Sequence, residues 1–339
     1  FPAEDGIRDS VNGLVGSEMC IRDSGTITSM TTLVLHHDDC LRHQAGLRHA
    51  ESPERVKAVL NALEGIDGIE TLPAPRATRE QLTGVHPAHY WEDLVQTEPT
   101  GDGEETAIVA LDADTFMSPG TINATLRGSG AACFAVEQIE ASNAANAFCV
   151  VRPPGHHALP EIPMGFCLLN HVAVAARFAI AGGFAERVAI LDFDVHHGNG
   201  TQGVFEASPE VLFVSSHQMP LYPGSGARSE TGVGNILNLP LAPGDDSTAF
   251  RAAWSGYGLE ALERFRPDWI MVSAGFDAHE RDPLGQLLLQ DDDYGWITDE
   301  IRRIAESHCG GKMVSLLEGG YDLEALGSAA AAHVRALTA

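Results

Sequence analysis

The sequence contains no Cys-x-x-Cys pair; its six cysteines, Cys20, Cys40, Cys133, Cys149, Cys167 and Cys309, are scattered singly along 339 residues. That spacing excludes a disulfide framework and a cysteine-based zinc knuckle, and it fits a reducing compartment. Also missing is any run of about 18 apolar residues, the length a membrane-spanning helix needs. No basic segment followed by an apolar one stands at the start of the chain. The expectation is a cytoplasmic protein without a membrane partner. Positive charge is scarce, with 21 Lys and Arg against 47 Asp and Glu and a formal net charge of -26. Such a surface repels a phosphate backbone, so a nucleic-acid partner is not expected. It suits polyamines, lysine-rich peptides or metal ions, and it equally serves solubility.

Hydrophobic residues make up 44% of the chain, enough to bury a sizeable core. Residues 1–29 show no steady periodicity and contain IRDS twice, at Ile7 to Ser10 and Ile21 to Ser24. They read as a non-native extension or a flexible tail, with the folded domain expected over 30–339 from Met30 onward. From Thr31 short apolar runs alternate with longer helical patterns. Candidate strands are 32–36, 108–111, 147–151, 188–192, 211–215, 269–273 and 312–317. Candidate helices are 53–63, 123–140, 170–181, 246–264, 294–307 and 323–337, the first with Ser52 as cap and Pro53 as first residue. Several strands are continuously apolar, as expected when both faces are covered. The fold class is therefore α/β, a single domain around a mostly parallel central sheet.

In such a sheet the site lies just past the C-terminal ends of the strands. There the chain reads Arg152-Pro153-Pro154-Gly155-His156-His157, Asp192-Phe193-Asp194-Val195-His196-His197-Gly198-Asn199-Gly200, Ala274-Gly275-Phe276-Asp277 and Glu318-Gly319-Gly320-Tyr321. Asp192, Asp194 and His196 recur with period two, so an extended segment points them to one side and Phe193 and Val195 to the other. Asp194, His196 and Asp277 make a three-ligand set for a divalent ion, leaving a position open for water and a substrate carbonyl. An acidic calcium site, a structural site or a capped turn are the blander alternatives. His156 and His157 supply base and acid, with Asp192 placed to orient one ring and Asn199 the other. Tyr321, after two glycines, can approach the same carbonyl and stabilise an oxyanion; packing at a helix start is its ordinary alternative.

The motifs HAESPERVKAVL (from His49), RPPGHHA (from Arg152), GFCLLN (from Gly165), DFDVHHGNGTQ (from Asp192), YPGSG (from Tyr222), SAGFDAHERDPLG (from Ser273) and LEGGY (from Leu317) are specific in combination. Together they resemble the arginase/deacetylase superfamily and, within it, the zinc-dependent histone deacetylase family. The similarity is greatest to bacterial class II-like histone deacetylases, acetylpolyamine amidohydrolases and acetoin-utilisation-type proteins, and it runs from Thr31 nearly to the C-terminus. It implies an eight-stranded sheet and a zinc held by Asp194, His196 and Asp277, with Fe²⁺ an alternative ion. His157 is then general base and acid, His156 mainly electrostatic and paired with Asp192, Asn199 the partner of His157, and Tyr321 the transition-state tyrosine.

Phe166 and Tyr222 match the walls of an acyl-lysine tunnel to which Gly165, Gly319 and Gly320 contribute, and Arg55 matches an arginine linked to acetate exit. A structural K⁺ or Na⁺ would use Asp192, Asp194, His196, Ser215 and Ser216, and a second, weaker one Phe205, Ser208, Val211 and Asn235. The implied reaction removes acetyl groups from acetyl-lysine in proteins. Acetylpolyamines are the alternative substrates, and a catalytically silent acetyl-lysine-binding scaffold is the alternative of another class. Asp112 to Pro119 correspond to the active-site rim, and Leu284, near a gatekeeper position, favours a less specialised deacylase. Self-association stays open.

Overall fold

The computed structural model describes residues 31–101 and 107–339; the expectations for 1–29 and Met30 lie outside them. In chain order the elements are β1 (Thr32–His36), α1 (Pro53–Leu63), β2 (Ile69–Pro73), α2 (Arg79–Thr83), α3 (Ala88–Thr97), β3 (Val109–Ala110), β4 (Phe116–Met117), α4 (Thr121–Glu140), β5 (Asn146–Cys149), α5 (His171–Ala181) and β6 (Val188–Asp192). They continue with α6 (Asn199–Phe205), β7 (Val211–Gln218), β8 (Ile236–Leu241), α7 (Ser247–Ala253), α8 (Leu259–Phe265), β9 (Trp269–Ala274), α9 (Asp291–Cys309), β10 (Met313–Leu317) and α10 (Leu323–Leu337). Eight strands form one sheet in the order β2-β1-β5-β10-β9-β6-β7-β8. Every neighbouring pair in it is parallel.

Alternation along each strand divides the apolar residues between two cores. Leu33, Leu35, Val188 and Ile190 face α4 and α5, where Val136 and Val172 meet them. Val34, Ala189 and Leu191 face the other side, where Val56 of α1, Ile301 of α9 and Val334 of α10 close over the sheet. A sheet covered on both faces explains why its strands read as continuous apolar runs.

Some local expectations change. The segment 108–111 holds only the two residues of β3, which pair antiparallel with β4 outside the main sheet. The helix expected over 246–264 is divided into α7 and α8 by a π turn at Trp254–Gly258, and Ser52 occupies the cap position of α1 without a side-chain capping bond. The two edge strands were not visible beforehand: β2 is half-exposed and ends in Pro73, and β8 carries Pro240, a residue that an edge position tolerates. What matters for function is that β5, β10, β9 and β6 are consecutive in the sheet. The four motif-bearing strand ends therefore open side by side.

Candidate active site

Strand β6 ends at Asp192, yet the period-two pattern continues through two carboxylate turns. Asp192 Oδ1 accepts the Asp194 N–H at 3.1 Å, and Asp194 Oδ1 accepts the His196 N–H at 2.9 Å. Phe193 and Val195 consequently enter the core beneath, while Asp194 and His196 point toward the mouth of the sheet. From the turn after β9, Asp277 Oδ1 accepts the Val195 N–H at 2.8 Å. Its other oxygen lies 3.0 Å from His196 Nδ1, and the donor atoms of Asp194, His196 and Asp277 all fall within 4.8 Å of one another.

The donor set fits a divalent cation. Burial, and then the Asp194 carboxylate, push Asp277 up to about 7. Against its own burial, His196 is raised to about 10 by Asp194 and Asp277. The cluster thus demands positive charge. Space is kept for it by glycine: a Cβ on Gly319 would come within 2.0 Å of Asp277 Oδ2, and one on Gly275 within 2.1 Å of Asp194 Oδ2. Gly319 also donates its N–H to Asp194 Oδ2 at 2.8 Å.

The two histidines follow β5 and differ in their partners. His156 Nδ1 lies 3.0 Å from Asp192 Oδ2, and His157 Nδ1 lies 2.8 Å from Asn199 Oδ1. Their rings are tilted with centroids 4.0 Å apart. Burial would lower both, but the Asp194 and Asp192 carboxylates carry His156 well above its ordinary value. Burial and the neighbouring charge of His156 hold His157 well below it. A carboxylate partner and an amide partner thus give one charged and one neutral imidazole side by side.

A cavity of about 250 Å³ opens onto this centre, lined by His157, His196, Tyr321, Phe166, Tyr222, Asp114 and Leu284 among others. Tyr222 stands perpendicular to His157 at 5.2 Å between centroids, and Phe166 is edge-on to Tyr321 at 5.9 Å. Gly165, at φ 57°, lines the cavity where a Cβ would reach 2.4 Å from His157 Cδ2. Burial raises the Tyr321 phenol well above its ordinary range, so it remains a donor at neutral pH. Gly319 and Gly320 sit behind the lining. The Gly320 carbonyl accepts Arg55 Nε–H at 2.6 Å, and the Arg55 guanidinium, also bonded to the Glu318 carbonyl, lies 4.8 Å from the centroid of the Tyr321 ring.

Three buried charges within the same motifs, Glu318, Glu51 and Arg152, hold the site without carrying a metal-ligand or acid–base signature in the sequence. Glu318 Oε2 accepts the N–H groups of Gly155 at 2.7 Å and His156 at 3.1 Å, fixing the histidine turn. Its other oxygen accepts the Ser273 hydroxyl at 3.2 Å. Glu51 receives a bidentate pair from Arg152, both bonds 2.6 Å. A carboxylate closing an apolar strand before two glycines was a usable signal for Glu318; nothing in the sequence pairs Glu51 with a residue 101 positions away.

Of the monovalent-ion candidates, Asp192 stands in register with Ser215 on β7. The Ser215 hydroxyl lies 2.9 Å from His217 Nδ1, and Ser216 Oγ accepts Trp254 Nε1–H at 3.0 Å. Phe205, Ser208, Val211 and Asn235 also come together: Asn235 Nδ2 lies 2.8, 3.0 and 2.8 Å from the carbonyl oxygens of Phe205, Ser208 and Val211.

An eight-stranded parallel sheet with an Asp, His and Asp cluster at its C-terminal mouth defines an arginase/deacetylase-type fold carrying a candidate divalent-metal site. The chain matches the histone deacetylase domain over residues 49–337 and belongs to that family. It is 41% identical over 285 residues to a histone deacetylase-like amidohydrolase of Pseudomonas aeruginosa, across 82% of this chain and 73% of that protein. With histone deacetylase 14, chloroplastic, of Arabidopsis thaliana it shares 36% identity over 344 residues, 96% of this chain and 79% of that one. The crystal structure of the HDA15 HD domain superposes with a TM-score of 0.84 at 32% identity, covering 91% of this chain and 88% of that chain. Family and cluster together support a metal-assisted, deacetylase-type hydrolase. Among the described residues no helix is long and apolar enough to cross a membrane.

Proposed function

We propose that the protein is a zinc-dependent amidohydrolase that removes acetyl or related acyl groups from acetylated lysine side chains, releasing acetate. The observation that carries this reading is the cavity, in whose lining the aromatic rings of Phe166 and Tyr222 join His157, His196 and Tyr321. Such a slot suits a slender acyl-lysine chain. Amide hydrolysis also accords with the name of the Pseudomonas relative.

A divalent ion held by Asp194, His196 and Asp277 would supply Lewis acidity at the acyl carbonyl. Two carboxylates and an imidazole suit Zn²⁺, and Fe²⁺ accepts the same donors. Asn199 Oδ1 can only accept, so it fixes the His157 proton on Nδ1 and leaves Nε2 to take a proton from the attacking water. The depressed pKa of His157 keeps that nitrogen unprotonated at neutral pH. Once protonated, it can return the proton to the departing amine. Tyr321 donates its hydroxyl to the oxyanion, and His156, charged against Asp192, adds a fixed positive field. Arg55, 4.8 Å from the centroid of the Tyr321 ring, would serve the acetate exit that the resemblance implies. By the same resemblance the backbone around Asp192, Asp194, His196, Ser215 and Ser216 would hold a structural K⁺ or Na⁺.

The test is product release, followed by mass spectrometry, from acetyl-lysine peptides, acetylputrescine and acetylspermidine by metal-loaded protein with a chelator control. Leu284 at the cavity, where a carboxylate would hold a distal ammonium, favours the peptides. Chelator-sensitive turnover that prefers peptides is expected. Preference for the polyamines would reassign the substrate, and no turnover of any of them by protein containing metal would overturn the reading.

A further inference from the structure

The carbonyl oxygens of Phe205, Ser208 and Val211 converge as they would around a second monovalent cation, but the Asn235 side-chain amide stands at their focus. Its Nδ2 is 2.8, 3.0 and 2.8 Å from the three oxygens. The amide is oriented by its other end, because Asn235 Oδ1 accepts the Val233 N–H at 3.2 Å. A turned amide would place an oxygen against three carbonyls and an N–H against an N–H. Gly232, at φ 55°, gives Oδ1 its room, since a Cβ there would come within 2.7 Å of it.

Two of these oxygens also carry a second bond. The Phe205 carbonyl accepts the Ser208 N–H at 2.9 Å besides the amide, and the Ser208 carbonyl accepts the Val211 N–H at 3.0 Å besides the amide. The main-chain oxygen of Asn235, the remaining candidate ligand, accepts the Phe213 N–H at 2.9 Å. A carbonyl has two lone pairs, so at Phe205 and Ser208 an entering ion would have to displace the amide, in a buried place where unmade bonds are costly. Positive charge is already present nearby: Arg177 donates to the Ser208 hydroxyl at 2.7 Å and lies 4.8 Å from the centroid of the Phe205 ring. Glu210, 2.9 Å from Arg177, offsets that charge in part.

We infer that Asn235 is a built-in substitute for the second monovalent cation, its side-chain NH₂ sharing two N–H donors among the three carbonyls, so that this position takes no ion. The ion expected there from resemblance does not fit the residues present.

Thallium(I), a scatterer that replaces K⁺, tests this in crystals of the wild-type protein. No anomalous peak within coordinating distance of the Phe205, Ser208 and Val211 oxygens supports the inference; a peak there, with the amide turned away, overturns it. Asn235→Gly removes the amide and opens the cradle. The Tm of that variant should rise, on exchanging choline chloride for KCl at equal ionic strength, at least about 3 °C more than that of the wild type. Equal responses overturn the inference. If the variant does not fold, the wild-type thallium map decides alone.

Discussion

Tyr321 shows how much rests on a single group. Its phenol is kept protonated by burial and faces the cavity beside His157 and His196. Tyr321→Phe removes the donor and little else, so metal content should be unchanged while kcat falls about 10²- to 10³-fold. Unchanged turnover would remove the oxyanion role. Gly319 is as constrained as any catalytic side chain, because a Cβ there meets both carboxylates, at 2.0 Å from Asp277 and 2.6 Å from Asp194. Gly319→Ala should give a folded protein, by circular dichroism, that loses its divalent ion on dialysis; full metal retention would contradict the geometry. At this scale the site was largely legible in the sequence, since its donors lie in short runs directly after apolar strands. The Gly275 and Gly319 clearances were not legible, because they depend on where Asp194 and Asp277 from other strands come to rest.

Elements are tied together by charges as well as by the two cores. Glu51, just before α1, accepts bonds from Nε and Nη2 of Arg152, just after β5, and both side chains are fully buried. Arg152 further donates to the Cys40 and His43 carbonyls at 2.7 and 2.8 Å. Glu51→Ala leaves a buried guanidinium without its counter-charge, and a loss of about 3–5 kcal/mol in urea unfolding is expected. A loss below about 1 kcal/mol would mean that water or another anion replaces the carboxylate. Burial opposes ionisation of Glu51, but Arg152 holds its pKa well below the usual 4.5. The stabilisation from the pair is therefore complete above that value and is lost as pH falls through the depressed one. The central strands were legible as continuous apolar runs. Edge strands β2 and β8 were not, because exposure and a proline erase that signal. The π turn at Trp254 was hidden for another reason: its residues continue the helical pattern of α7 and α8.

Across the whole molecule buried histidines weaken the fold in acid, offset in part by Asp277 and Glu318, whose carboxyls burial pushes up to about 7. Burial holds His86, His171 and His217 down to about 4 and His333 to about 3. Each is neutral in the folded chain and protonated in the unfolded one between those values and about 6.5. The unfolded state therefore binds more protons in that window, and stability falls as pH drops through it, by up to about 1.4 kcal/mol per pH unit for each histidine. His156, raised instead, acts in the opposite sense and only above about 6.5. The urea midpoint should accordingly be lower at pH 5 than at pH 7. Equal midpoints would show that these rings take up protons in the folded state.

On the proposed function, one divalent ion at Asp194, His196 and Asp277 would work with His157 and Tyr321 to cleave an acetylated amine. The most direct test of that function is acetate release from an acetyl-lysine peptide while zinc is titrated into chelator-stripped protein. No release is expected without metal, then a linear rise and a break at one ion per chain, with neither binding nor release in Asp277→Ala. Full turnover by the stripped protein, or none after one equivalent has bound, would contradict it.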